Sequence, residues 1–112
     1  LPLAKTAGVL LAAAALVAIG LQLLPKSTVL PSAEALYVRN CGACHGAFGE
    51  GTDLGPSFQD PIWLHGNSLE AIDGVVAEGV SGTAMVPWKD MLSEEDRLAV
   101  SAYVFGFQLA EQ

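Results

Sequence analysis

Residues 41–45 read Cys41-Gly42-Ala43-Cys44-His45, and the rest of the chain is read outward from this stretch. Two thiols separated by two residues, with an imidazole directly after the second, have the spacing of a covalent heme attachment. The spacing has a physical reason. On a turn of helix, positions three apart share a face, so both sulfurs reach the two vinyl groups of one porphyrin. The next side chain then aims a ring nitrogen at the iron from the same side. His45 is thereby the candidate proximal ligand.

Two other chemistries use a C-x-x-C pair. A thiol–disulfide redox site expects a strand–helix–strand setting, and the sequence has no such pattern. A closed zinc site needs four ligands. Here only His65 remains as a fourth, and the adjacency of Cys44 and His45 strains a tetrahedron. Covalent heme accounts for all three residues at once.

Working toward the N-terminus, the chain of 112 residues is 52% hydrophobic, and the excess lies at its front. Residues 7–24 carry no charge, and Gln22 is the only strongly polar side chain among them. As a helix, this run is about 27 Å long, close to the roughly 30 Å hydrocarbon core of a bilayer. Residues 1–4 extend it, with Lys5 snorkelling toward head groups. The run exceeds the usual core of a cleaved signal peptide. Residues 1–24 are therefore expected to be a retained single-span transmembrane anchor helix. Residues 25–31 hold two prolines, Pro25 and Pro31, and read as a short extended linker. At about 3 Å per residue the linker reaches ~20 Å, which keeps the following domain close to the membrane.

Residues 32–112 are expected to form a small all-α domain. Ser32 is placed to cap a first helix running to the heme motif, with Glu34 in its first turn and Leu36 and Tyr37 buried. Residues 46–66, rich in Gly, Pro and Asp and without a period, read as loop. Asn67 is the expected cap of a second helix, with Glu70 completing a capping box. Leu69, Ile72, Val75 and Val76 fall at helical spacing there, and Gly79 ends the run. Ser93 caps the last helix, whose apolar residues from Leu98 to Phe107 cover most of its circumference and imply packing on more than one side. So small a domain is short of apolar core, and a buried porphyrin supplies what the side chains do not. Protein made without heme attachment is expected to stay largely unfolded.

A six-coordinate heme needs a second ligand, for which Met85, Met91 and His65 are the candidates. At this point the chain resembles the single-heme class I cytochrome c family over residues 32–109. The likeness rests on the helix leading into Cys41–His45, on Leu54-Gly55-Pro56, on Gly82-Thr83-Ala84-Met85 before the last helix, and on Tyr103 within it. The family Met usually stands directly before Pro; here Val86 intervenes before Pro87. The resemblance implies Met85 as the metal ligand beside His45, and one heme c held through Cys41 and Cys44. It also implies that the Pro56 carbonyl accepts the other ring N–H of His45. Trp63 and Trp88 are further candidates to lie against the porphyrin or bond a propionate, with plain core packing as the alternative for each.

The segment from Asp60 through Trp63 and His65 to Ile72, followed by Gly79 and Met85-Val86-Pro87-Trp88, resembles the cytochrome domains of the multi-heme subunit in cbb-type oxidases. Those subunits carry two heme motifs and this sequence carries one. The resemblance implies a single-heme, membrane-anchored electron carrier, serving as a subunit or tethered donor of a respiratory or photosynthetic complex. It places the domain on the periplasmic side of a bacterial inner membrane. Lys5 on one flank and Lys26 and Arg39 on the other leave the orientation undecided by charge.

With both axial positions filled by protein, iron exposes no open site, so the chain is read as no enzyme and without a small-molecule substrate. No Ser/His/Asp set, acidic pair in a motif or phosphate-binding loop competes. The formal charge is −7 overall, and after residue 30 three basic residues face twelve acidic ones, a balance of −9. Such a surface repels nucleic acid and suits a basic or neutral face on a redox partner. The same charge also serves to keep an exported domain soluble. The alternative function is a heme-based gas sensor or a heme subunit with a displaceable sixth ligand, distinguished by carbon monoxide binding.

Overall fold

A serine starts each of the three main helices. The computed structural model describes residues 16, 17, 19, 20 and 31–109. In α1, Ala33–Asn40, the Ser32 hydroxyl accepts the Ala35 N–H at 3.1 Å. Glu34 in the first turn and Arg39 in the last both suit the helix dipole. One further turn, α2, Gly42–His45, carries the heme motif. The helix is interrupted at Cys41 (φ −118°, ψ −33°), so it enters the motif rather than running through it. The two pieces stay joined because the Cys41 N–H still bonds the Tyr37 carbonyl at 2.7 Å.

The second long helix, α3, spans Leu69–Glu78. Its cap corrects the sequence expectation. Ser68, not Asn67, accepts the Ala71 N–H at 3.1 Å, which places Glu70 too early in the turn to close a capping box. The Asn67 carbonyl instead accepts the Gln108 side-chain amide at 2.9 Å. Gly79 ends α3 as expected. The last helix, α4, Glu94–Gly106, begins at Ser93, whose hydroxyl accepts the Asp96 N–H at 3.0 Å. It runs into a 3₁₀ turn, Phe107–Leu109. Residues 46–66 are turns and bends, with one isolated bridge between Thr52 and Gly55. Among the described residues there is no β-strand.

The last helix packs against both α1 and α3. Each of the three supplies two side chains to the core: Leu36 and Tyr37, Ile72 and Val76, Val100 and Val104. Burying such side chains is worth about 1.5–3 kcal/mol apiece. The face of α4 toward α3 is not purely apolar. Buried Ser101 bonds Asp73 at 3.3 Å, and the Arg97 guanidinium forks onto the same carboxylate at 2.8 and 3.3 Å. Leu98 and Ala102 face solvent, so the apolar girdle read from the sequence is incomplete.

Residues from Pro31 onward pack as a unit of their own. Leu16, Val17, Ile19 and Gly20 are helical and exposed. The rest of the expected anchor, residues 1–24, and most of the expected linker lie outside the described residues. Among the described residues, no helix is long and apolar enough to cross a membrane.

Candidate functional site

The heme motif is fastened to the loop that follows it, bond by bond. Gly46 leaves α2 at φ +85°, and its carbonyl accepts the buried Tyr37 hydroxyl at 2.7 Å. The Gly51 N–H donates to the His45 carbonyl at 2.7 Å, and the Thr52 hydroxyl donates to the Cys44 carbonyl at 2.5 Å. Thr52 also closes its own turn, its N–H on the Gly55 carbonyl at 2.9 Å and its hydroxyl accepting the Leu54 N–H at 3.0 Å. Gly55 slides beneath the motif, where a Cβ would stand 2.8 Å from the Cys44 carbonyl oxygen and 3.0 Å from His45 Nδ1.

That turn delivers the Pro56 carbonyl to His45 Nδ1 at 2.9 Å. A carbonyl only accepts, so Nδ1 carries the proton and Nε2 is left with its lone pair. The imidazole is also held face-on by Phe58 (4.4 Å between centroids, 21° between planes), which stacks in turn on Trp63 (5.5 Å).

A second loop is built with similar devices. Gly79, at φ +66° and ψ −171°, sits where a Cβ would come within 2.7 Å of the Met85 carbonyl oxygen. That carbonyl accepts the Val80 N–H at 3.0 Å. The Thr83 hydroxyl donates to the Val80 carbonyl at 2.7 Å and accepts the Met85 N–H at 3.2 Å. Trp88 returns the chain to α3 through its N–H on the Val76 carbonyl at 2.9 Å.

The two loops and the helices enclose a mostly apolar cleft of about 290 Å³. Seven of the residues singled out in the sequence line it: Cys41, Cys44, His45, Pro56, Trp63, Trp88 and Met85. His65 is exposed and also lines it, whereas Met91 is 57% exposed and lies outside its walls. Leu54, Phe58, Ile62 and Leu64 also line it and had no signal in the aperiodic 46–66 stretch. Both thiols are free. Burial, reinforced by the neighbouring Cys44, pushes the Cys41 thiol up to about 11. This is the reverse of the lowered value a thiol–disulfide exchange site needs. Among the described residues, no group of three or more His, Cys, Asp or Glu side chains is placed to hold a metal ion.

The donor set suits a heme. Two thiols stand on one turn, one imidazole presents a free Nε2, one thioether lines the same cleft, and the remaining surface is apolar enough for a macrocycle.

Comparison with known proteins agrees with this geometry. The family described as cytochrome c oxidase, cbb3-type, subunit III, matches residues 29–104. The cbb3-type cytochrome c oxidase subunit FixP of Bradyrhizobium diazoefficiens is 36% identical over 73 residues, covering 63% of this chain and 25% of that protein. The chain thus spans about a quarter of the length of that relative. Cytochrome c55X of Stutzerimonas stutzeri is 32% identical over 89 residues, covering 80% of this chain and 77% of the relative. Among solved structures, the KustC0563 c-type cytochrome superposes with a TM-score of 0.60 at 34% identity, over 68% of this chain and 96% of that one. The chain belongs to the cbb3-type cytochrome c oxidase subunit III family and is a c-type cytochrome.

Proposed function

We propose that this chain is a single-heme, membrane-anchored electron carrier. Membership of a cytochrome c family of cbb3-type oxidases implies electron transfer and a covalent heme c. The sequence holds one C-x-x-C-H motif and two cysteines in all, which supports one heme. Cys41 and Cys44 would hold the heme through thioether links, and His45 Nε2 and the Met85 sulfur would bind its iron. Heme bound in this way supplies a single reversible ferric–ferrous electron step. The protein's part is to orient and enclose. Pro56 holds the His45 tautomer, Phe58 holds the ring plane, and Trp63 and Trp88 close the apolar wall against water.

Residues 1–24 anchor the chain, 25–31 tether it, and 32–112 form the cytochrome domain on the periplasmic side of a bacterial inner membrane. The acidic domain meets a basic or neutral face of a partner, as subunit or tethered donor of a respiratory or photosynthetic complex. Relatives named as oxidase subunits support that setting.

The observation carrying the assignment is the His45 Nδ1–Pro56 pair at 2.9 Å, which leaves Nε2 free on a cleft that also takes Met85. Purified protein should be red, and the heme should stay with the chain through denaturing electrophoresis. Met85→Ala should abolish the far-red thioether-to-iron charge-transfer band, while Met91→Ala should keep it. The opposite pattern overturns the ligand assignment. Rapid, near-stoichiometric carbon monoxide binding by the reduced native protein overturns the carrier reading in favour of a sensor.

A further inference from the structure

Thr52 belongs to none of the residue classes from which the site was read, yet it touches the motif more directly than most of them. Its hydroxyl sits at a junction, donating to the Cys44 carbonyl at 2.5 Å and accepting the Leu54 N–H at 3.0 Å. Its N–H donates to the Gly55 carbonyl at 2.9 Å. The Cys44 carbonyl belongs to the last turn of a four-residue helix, where carbonyls lack intrahelical partners. One residue beyond the turn that Thr52 closes stands Pro56, whose carbonyl holds His45 Nδ1. Gly55 has no slack in this arrangement, because its own backbone lies against Cys44 and His45.

We propose that Thr52 is a positioning residue for His45. It pins the turn carrying the Pro56 carbonyl to the carbonyl of the residue immediately before His45. This rests on the heme reading above and extends it to a residue that touches neither iron nor porphyrin in that reading. Without the hydroxyl, the turn keeps the Gly51–His45 backbone bond, the imidazole bond itself and the stacking of Phe58 on His45, but loses its direct bond to the Cys44 carbonyl. The imidazole bond then opens more often, and a weaker Nδ1–H···O bond makes His45 a poorer electron donor. The ferric form loses more stabilisation than the ferrous form, so the reduction potential rises.

The test uses nitrogen-15-labelled, reduced, heme-loaded protein and follows exchange of the His45 ring N–H against core amides of α4. Thr52→Val and Thr52→Ala should each speed ring exchange roughly fivefold relative to those amides, the effect of losing one ordinary hydrogen bond. Thr52→Ser should restore the wild-type rate and potential. Thr83→Val removes the corresponding hydroxyl from the Met85 loop and should leave His45 exchange unchanged while disturbing the far-red band. If Thr52→Val and Thr52→Ala leave the ring rate unchanged, or speed the α4 amides by the same factor, Thr52 is only a structural residue and the proposal fails. Wild-type protein that carries no covalent heme defeats the underlying reading, and this inference with it.

Discussion

Replacing Gly55 by alanine puts the packing of the site to a direct test. Gly55 does not sit at positive φ, so an alanine there meets no intrinsic backbone penalty. Its difficulty is room. The added methyl would stand 2.8 Å from the Cys44 carbonyl oxygen, 3.0 Å from His45 Nδ1 and 3.1 Å from the Cys44 carbonyl carbon. Two of these are backbone atoms within the motif, so neither can rotate away, and the turn must lift off. Overpacking of this kind costs about 1–3 kcal/mol. Lifting the turn also stretches the His45–Pro56 bond, worth about another 1 kcal/mol. Together these shift a urea midpoint down by about 1–2 M at a slope of ~2 kcal/mol/M. With His45 as the proposed iron ligand, the reduction potential should rise in the same variant, because a weaker His45–Pro56 bond would leave the imidazole a poorer donor. Gly74→Ala is the control. It lies inside α3 with nothing within 4 Å of the place its new methyl would take, and should gain about 0.5–1 kcal/mol from helix propensity. A Gly55→Ala protein with unchanged midpoint and potential would refute the claim that this close approach sets the imidazole.

Three further outcomes follow from other contacts. Tyr37→Phe removes the buried hydroxyl from the Gly46 carbonyl and should cost about 1–3 kcal/mol at neutral pH. Burial above all, with nearby charge adding to it, holds the Tyr37 hydroxyl well above its ordinary 10.0, so the fold favours the protonated form. Its contribution is therefore full below about pH 10 and is lost as pH climbs toward the folded value; urea midpoints from pH 8 to 11.5 should fall more steeply for wild type than for Tyr37→Phe, and parallel curves would count against this. Gly79→Ala places a side chain in a backbone region nearly closed to all but glycine, at about 1–3 kcal/mol, and against the Met85 carbonyl. The far-red band should weaken, and reduced protein should begin to bind carbon monoxide, while His45 ring exchange stays put. Arg97→Ala should lower the urea midpoint clearly, since it leaves the largely buried Asp73 carboxylate with Ser101 alone. Lys89→Ala should scarcely move it, because Lys89 and Glu78 are 48% and 66% exposed.

What the sequence made legible was whatever depends on neighbours along the chain. Ser32 and Ser93 cap where a hydroxyl precedes an acidic first turn, and Gly79 stops α3 where only glycine fits. The Asn67 expectation failed because two capping residues stand side by side. Local chemistry does not choose between them, whereas a distant contact, Gln108 on the Asn67 carbonyl, occupies the first. The cysteines and His45 were legible because their chemistry needs a fixed spacing. Phe58 and Thr52 were not, since their partners lie eight to thirteen residues back across an aperiodic loop. Arg97 and Asp73, 24 residues apart, are paired only by the way α4 lies on α3.

The same geometry explains why fold and site are not separable here. Ile72, Val76 and Val104 are half of the buried apolar core and are also walls of the cleft. Tyr37, from the other half, ends its hydroxyl on the carbonyl that closes the motif. No layer of side chains stands between the packing that holds the helices together and the surface that receives the porphyrin. A group filling the cleft therefore completes the core, and anything that binds the folded chain but not the unfolded one stabilises it. The motif can also attach the porphyrin to two cysteines on a single turn, so the filler stays with the chain through unfolding. It is then present at each refolding, next to the residues it must meet. On this reasoning, the small number of buried side chains is the counterpart of a covalent cofactor and does not mark a weak domain.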